Sequence, residues 1–164
     1  MPRKIGIKLF LRKTIAFFNL VRFTLRKVIL GFEMANQLVN KVDKLSLQKI
    51  LISNGALLGN QSDIESGITF HNCSNYSNLT IGNNCHIGKN CFFDLRDKIV
   101  IQDNVVISMN CTLITHIDLY KSKLSQTYLP DQGSILIEHD SYIGANCTIL
   151  MKTKINNNAM IAAA

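Results

Sequence analysis

A period of six residues limits what this chain can fold into more than any other feature. From Ile81 the sequence runs Ile-Gly-Asn-Asn-Cys-His, and from Ile87 it runs Ile-Gly-Lys-Asn-Cys-Phe. The pattern resumes at Ile101 and Ile107, and a third run starts at Ile137, Ile143, Ile149, Ile155 and Ile161. The first position is aliphatic, the second often Gly, the fourth mostly Asn or Asp, and the fifth small. Self-similarity at a fixed short period marks stacked repeats. Each unit reads as a short strand followed by a sharp turn. The aliphatic side chain points inward and stacks on its equivalents above and below, and a narrow prism leaves room for only a small second inward residue. Gly or Asn near the turn tolerates the left-handed backbone that a corner needs. Three units close a triangular coil of about eighteen residues, which buries its core only against neighbouring coils.

Departures from the period are informative too. Ile64 and Phe70 read as degenerate first units, as expected of a capping coil. The stretch from Phe93 to Val100 holds two extra residues, which predicts a bulge or widened corner. Residues 117–134 are polar, contain Pro130 and Gly133, and carry no repeat, so they form a loop ejected from the stack; loops on rigid scaffolds are where function tends to sit. Four of the five cysteines (Cys85, Cys91, Cys111, Cys147) fall on the fifth position and read as small buried side chains in a reducing cytosol. No CxxC pair suggests zinc or redox chemistry. Asn-x-Ser/Thr triplets at Asn72, Asn75, Asn78, Asn110 and Asn146 read as turn chemistry rather than glycan sites.

The N-terminal part is of another kind. Residues 1–30 carry eight Lys/Arg and no acid, so the net charge of +7 leaves −1 on the other 134 residues. The basic balance belongs to this segment, and nucleic-acid binding by the repeat domain gains no support from it. Residues 3–30 read as a helix with Lys4, Lys8, Arg12, Asn19, Arg22 and Arg26 in one quarter of the wheel. Leu9, Phe10, Phe17, Phe18, Leu20, Val21, Leu25 and Val28 fill most of the remainder. The longest uncharged stretch, Thr14 to Val21, is far short of the ~20 residues needed to span a bilayer. The pattern matches a helix lying on a membrane surface, expected to be dispensable for the repeat domain; the alternative is a helix packed on a partner or on its own oligomer. Residues 31–52 read as a second amphipathic helix with Leu38, Val42, Leu45 and Lys49 near one face and Val39, Leu47 and Ile50 to either side, and Asn54-Gly55 as a turn. The division is therefore a basic helical segment at 1–55 and a repeat domain at 56–164.

The hexads from Ile64 to Ala164 resemble those of the hexapeptide-repeat acyltransferases. The resemblance implies a mainly β fold, a left-handed parallel β-helix with an N-terminal amphipathic helical segment. Thr115-His116, then a long loop, then Ile-x-x-x-x-Tyr-Ile-Gly, is similar to the layout of the maltose and galactoside type of sugar O-acetyltransferase. That likeness implies His116 as general base, since a hydroxyl is a poor nucleophile until imidazole takes its proton. It places Asp94 at an acceptor-binding position, from which the carboxylate would bond an acceptor hydroxyl or orient His116; the other reading is a carboxylate at a solvated corner. Tyr142 corresponds to an aromatic residue flanking the coenzyme A groove, and Ala145 and Ala163 to small residues along the pantetheine arm, although all three also suit ordinary hexad filler. The implied donor is acetyl-CoA. The implied assembly is a homotrimer with active sites between subunits, and the implied setting is cytoplasmic, peripheral on the inner face of the membrane. The acceptor would be a sugar or lipid-linked sugar in surface polysaccharide biosynthesis. No metal is expected: the carbonic anhydrases of this fold need a second His soon after His116, where Asp118, Tyr120 and Lys121 stand. His71, His86 and His139 read as exposed strand or corner residues. Against the family pattern, the end at Ala162-Ala163-Ala164 looks truncated. Two rival readings remain, a non-catalytic β-helix subunit or anchoring protein and a serine acetyltransferase-like enzyme; the latter is expected to carry a larger, acidic helical domain.

Overall fold

The computed structural model describes residues 2–163, with side chains from Gly6 onward, so Arg3, Lys4 and Ala164 in the readings above lie outside the described side chains. The chain opens with α1 (Pro2–Leu30), a short α2 (Phe32–Asn36), a 3-10 turn (Val39–Lys41) and α3 (Lys44–Ser53). The second helix expected over residues 31–52 is thus three pieces. Gly31, at φ +87, breaks the helical path after α1, and the Asp43 side chain accepts from the amides of Leu45 and Ser46 to start α3 afresh. The buried face of α3 is Ser46, Leu47, Ile50 and Leu51; of the expected apolar side Leu47 and Ile50 are buried, while Leu45 and Lys49 are only half-buried.

The strands then wind coil by coil. The first coil holds β1 (Leu57–Leu58), β2 (Asp63–Ile64) and β3 (Thr69–His71). The second holds β4 (Leu79–Ile81), β5 (His86–Ile87) and β6 (Phe92–Asp94), and the third β7 (Ile99–Ile101), β8 (Val106–Ile107) and β9 (Thr112–Ile114). The loop carries β10 (His116–Ile117), a 3-10 turn (Lys123–Gln126) and β11 (Asp131–Gln132). Winding resumes with β12 (Ile135–Ile137), β13 (Tyr142–Ile143), β14 (Thr148–Leu150), β15 (Lys154–Ile155) and β16 (Met160–Ile161).

Three parallel sheets form the faces of a prism, ordered β1-β4-β7-β12-β15, β2-β5-β8-β13-β16 and β3-β6-β9-β14. Register puts each aliphatic first position on its equivalent: Ile64, Ile87, Ile107, Ile143 and Ile161 form one stack. A second stack runs Phe70, Phe93, Leu113 and Ile149. The widened corner appears after β6, where Leu95 turns inward and is buried.

Corner chemistry separates two roles that the sequence reading merged. Asn and Asp at the fourth position adopt the left-handed conformation, from Asn84 at φ 54 to Asn146 at φ 62. Gly at the second position has another purpose, close approach. A Cβ on Gly88 would lie 2.6 Å from the Ser108 carbonyl carbon of the next coil, and one on Gly82 would lie 2.7 Å from that of Gln102. The fifth-position cysteines are buried free thiols. Each donates to a carbonyl one coil on, Cys85 to Gln102 at 3.0 Å and Cys147 to Ala162 at 3.0 Å. Burial pushes the Cys91 thiol up to about 11 and also raises the Cys85 and Cys111 thiols, so those three stay protonated.

The helices close the N-terminal end of the prism. Phe23, Ala35, Val39, Leu47, Ile50 and Leu51 join one continuous core with Tyr76, Phe70 and the stacked isoleucines. The Tyr76 ring packs 5.1 Å from Phe32 and 5.2 Å from Phe70, and its hydroxyl donates to Asn36 at 2.8 Å. Capping of this kind covers strand edges that would otherwise template association. The expectation that residues 1–30 are dispensable to the prism fails for the second half of α1, because Phe23 is part of its core.

Candidate active site

The site grows from the corner where the third face hands over to the first. In the two-strand hairpin β10–β11, His116 pairs with Gln132 and Ile117 with Asp131, so the ejected loop has a fixed stem and His116 sits at its root. One coil earlier, β6 ends in Asp94, which is only 1% exposed. The solvated-corner reading of Asp94 is therefore wrong: the widened corner folds Leu95 inward and draws the carboxylate in behind it.

Every side of that carboxylate is engaged. Oδ2 accepts from the Thr115 amide at 2.9 Å, from the Thr115 hydroxyl at 2.9 Å and from His116 Nδ1 at 2.5 Å. Oδ1 accepts from Asn72 Nδ2 at 2.8 Å. Burial works to raise the Asp94 pKa, but the hydrogen bonds from His116, Asn72 and Thr115 outweigh it and hold the group below the usual carboxylate value. An ionised carboxylate only accepts, so the proton of a neutral His116 ring sits on Nδ1 and the lone pair on Nε2. Nε2 stands 3.5 Å from Asn72 Nδ2, and the His116 side chain remains 18% exposed. A buried acid that orients a partly exposed imidazole is a pairing able to take up a proton.

Two residues of this arrangement were not anticipated. Asn72 stands in the left-handed conformation, at φ 52, just after β3, whose His71 is in register with Asp94. Its signal in the sequence was an Asn one coil below Asp94, outside any clean hexad. Thr115 is fully buried, and its hydroxyl also accepts from the Asp97 amide at 3.1 Å, which ties the widened corner to the site. Beside Asn72 two adjoining hollows of about 210 and 400 Å³ run between α2 and β3, lined by Glu33, Asn36, Phe70 and His71.

The remaining candidates lie elsewhere on the prism. Tyr142, on β13, shares a groove of about 510 Å³ with Gly88, Lys89, Val106, Ser108 and Met109. Ala145 and Ala163 flank the corner between the second and third faces, where the backbone of Gly144 stacks directly on that of Ala162 and Ala163. Within one chain this groove and the His116 corner belong to different corners. His86 bonds Asp63 at 3.2 Å and His139 accepts from the Asp103 amide at 3.1 Å, so both serve the scaffold, each half-buried rather than exposed. Among the described residues, no group of three or more His, Cys, Asp or Glu is placed to hold a metal ion.

Comparison with known proteins agrees with this architecture. A family model described as the hexapeptide repeat of succinyl-transferase matches residues 78–114. The crystal structure of a hexapeptide-repeat-containing acetyltransferase from Vibrio cholerae superposes with a TM-score of 0.62. It is 21% identical in sequence, and the match covers 95% of this chain and 78% of that one. No curated protein sequence matches the chain. The fold is the one seen in that acetyltransferase structure, a left-handed parallel β-helix with an N-terminal helix, and residues 78–114 carry the hexapeptide repeat.

Proposed function

We propose that the chain is an O-acetyltransferase that moves an acetyl group from acetyl-CoA to a sugar hydroxyl, with His116 as general base. The observation that carries this reading is the Asp94–His116 pair at 2.5 Å, at the root of the ejected loop. His116 Nε2 removes the hydroxyl proton as the oxygen bonds to the acyl carbonyl carbon. The carbon–sulfur bond then breaks, and the imidazolium returns its proton to the departing thiolate. Asp94 holds the ring and stabilises the transient imidazolium; among the two roles open to it, its saturated hydrogen bonding favours orientation over direct contact with the acceptor. A backbone amide would bind the developing oxyanion.

The acceptor class rests on the polar hollows beside Asn72, whose Glu33, Asn36 and His71 offer both donors and acceptors to a sugar. The donor would lie along the groove at Tyr142 and the corner of Ala145 and Ala163. That groove of about 510 Å³, lined by Val106, Ser108, Met109 and Tyr142, has room for an extended arm. Because the His116 corner and this groove are separate within one chain, a complete site is built in a homotrimer, the base of one subunit facing the groove of the next. A role in surface polysaccharide biosynthesis follows if the acceptor is such a sugar or its lipid-linked precursor. Incubation with acetyl-CoA and a panel of mono- and oligosaccharides, read by mass spectrometry, tests the reading. A mass gain of one acetyl group on a sugar is expected; acetylation of amines only, or of nothing in the panel, would overturn it.

A further inference from the structure

Helix α1 docks on the body by one narrow side. Ala16 and Phe23 are fully buried against the body, and they are flanked by polar anchors. Asn19 donates to the Ser46 hydroxyl at 2.9 Å, and Lys27 donates to Asn54 at 2.8 Å while lying 5.8 Å over the Phe32 ring. These residues share one side of the helix at about 100° per residue.

The opposite side is apolar and bare. Phe10, Phe17, Phe18, Val21, Leu25 and Val28 fall within an arc of roughly 120° centred opposite the docked face. All six are exposed, from 38% at Val21 to 77% at Val28. Among residues 6–30 no charge enters this arc. Arg22 borders it on one side and Lys13 on the other, with Lys8 and Arg26 farther round. Among the described residues, no basic side chain of α1 makes an ion pair. Residues 6–13 are exposed all round, so this stretch of eight residues stands off the body. A helical stretch of that length is marginal in water unless something covers it.

We infer that the exposed face of α1 is a docking surface for an anionic phospholipid bilayer, on which the helix lies flat. The charge pattern selects this occupant. A second copy of the chain would bring another eight basic residues and no acid to the same helix, and the rest of the molecule sums to only −1. An anionic headgroup layer supplies what the helix lacks, while the arc of aromatic and aliphatic side chains enters the acyl boundary and Lys and Arg extend to the headgroups. No helix among the described residues is long and apolar enough to cross a membrane, so binding is to one leaflet. Because α1 is fastened through Phe23, Asn19 and Lys27, the bilayer would hold the prism at a fixed angle rather than on a loose tether.

The test uses the full chain and sedimentation with vesicles of phosphatidylcholine alone or mixed with phosphatidylglycerol. The inference expects binding to the mixed vesicles, weakened by salt, and little to the neutral ones. Lys13→Glu with Arg22→Glu should lower the partition coefficient by roughly fivefold or more per residue. Phe17→Ser with Val21→Ser should lower it by about tenfold or more, with circular dichroism unchanged, since neither side chain packs on the body. Equal binding to both vesicles would overturn the inference. So would no binding at all, or a Phe17→Cys variant that cross-links helix to helix between copies in the presence of anionic vesicles. None of these outcomes depends on the transfer reaction.

Discussion

Asp94→Asn is the substitution that most sharply separates the roles open to this carboxylate. The side chains are nearly the same size, so packing is kept. The amide oxygen can take the place of Oδ2 and keep the Thr115 amide, the Thr115 hydroxyl and His116 Nδ1. The new NH2 then meets Asn72 Nδ2, a donor against a donor, where the native Oδ1 accepted at 2.8 Å. Asn72 must turn its own amide over, and its contact with His116 Nε2 changes with it. The larger loss is the charge. A hydrogen bond to an ionised partner contributes about 1.5–3 kcal/mol. The part realised only when His116 becomes imidazolium therefore lowers kcat by roughly tenfold to a little over a hundredfold. The assay is steady-state transfer with acceptor varied: kcat should fall while the acceptor KM stays nearly constant. A raised acceptor KM with unchanged kcat would refute the orienting role and return Asp94 to acceptor binding.

Stability against pH supplies a second expectation at the same residue. The folded-state pKa of Asp94 lies below the ordinary 3.8, so its contribution is present above that value and lost as pH falls through the folded pKa. Asp94→Asn should lack that part of the acid sensitivity, seen as a smaller drop in urea midpoint below about pH 4. Gly88→Ala should destabilise by about 1–3 kcal/mol, since its Cβ would meet backbone that cannot yield as a side chain can; an unchanged denaturation midpoint would contradict the close-approach role. Phe23→Ala should cost about 3–5 kcal/mol because the ring is fully buried in the N-terminal cap, a loss that thermal unfolding reads directly.

The sequence was most legible where one residue type has one physical use. Stacked isoleucines at six-residue spacing dictate parallel register, and the observed pairings follow it from Ile64 to Ile161. Asn at the fourth position takes the left-handed turn for the reason its side chain suggests. Legibility failed where a residue type has two uses. Gly at the second position was grouped with the turn residues, although its φ is ordinary there and what it avoids is the coil above. Asp94 was ambiguous because its burial depends on the two extra residues that turn Leu95 inward, and spacing alone does not say which way a widened corner folds. Asn72 lay outside a clean unit, so no register pointed at it. For α1 the wheel displayed two faces without saying which one the body uses. Ala16 and Phe23 decide that, and they are inconspicuous beside the larger apolar set.

The central claim is that His116 is the base in an acyl transfer organised by this corner. The most direct test is the rate of acetyl transfer to a sugar hydroxyl by His116→Ala beside the wild-type chain at one pH, with the fold checked by circular dichroism. The side chain is held by Asp94 and partly exposed rather than packed in the core, so the fold should survive. Loss of about 10²–10⁴-fold in rate is expected. Transfer at the wild-type rate by the folded variant would contradict the account.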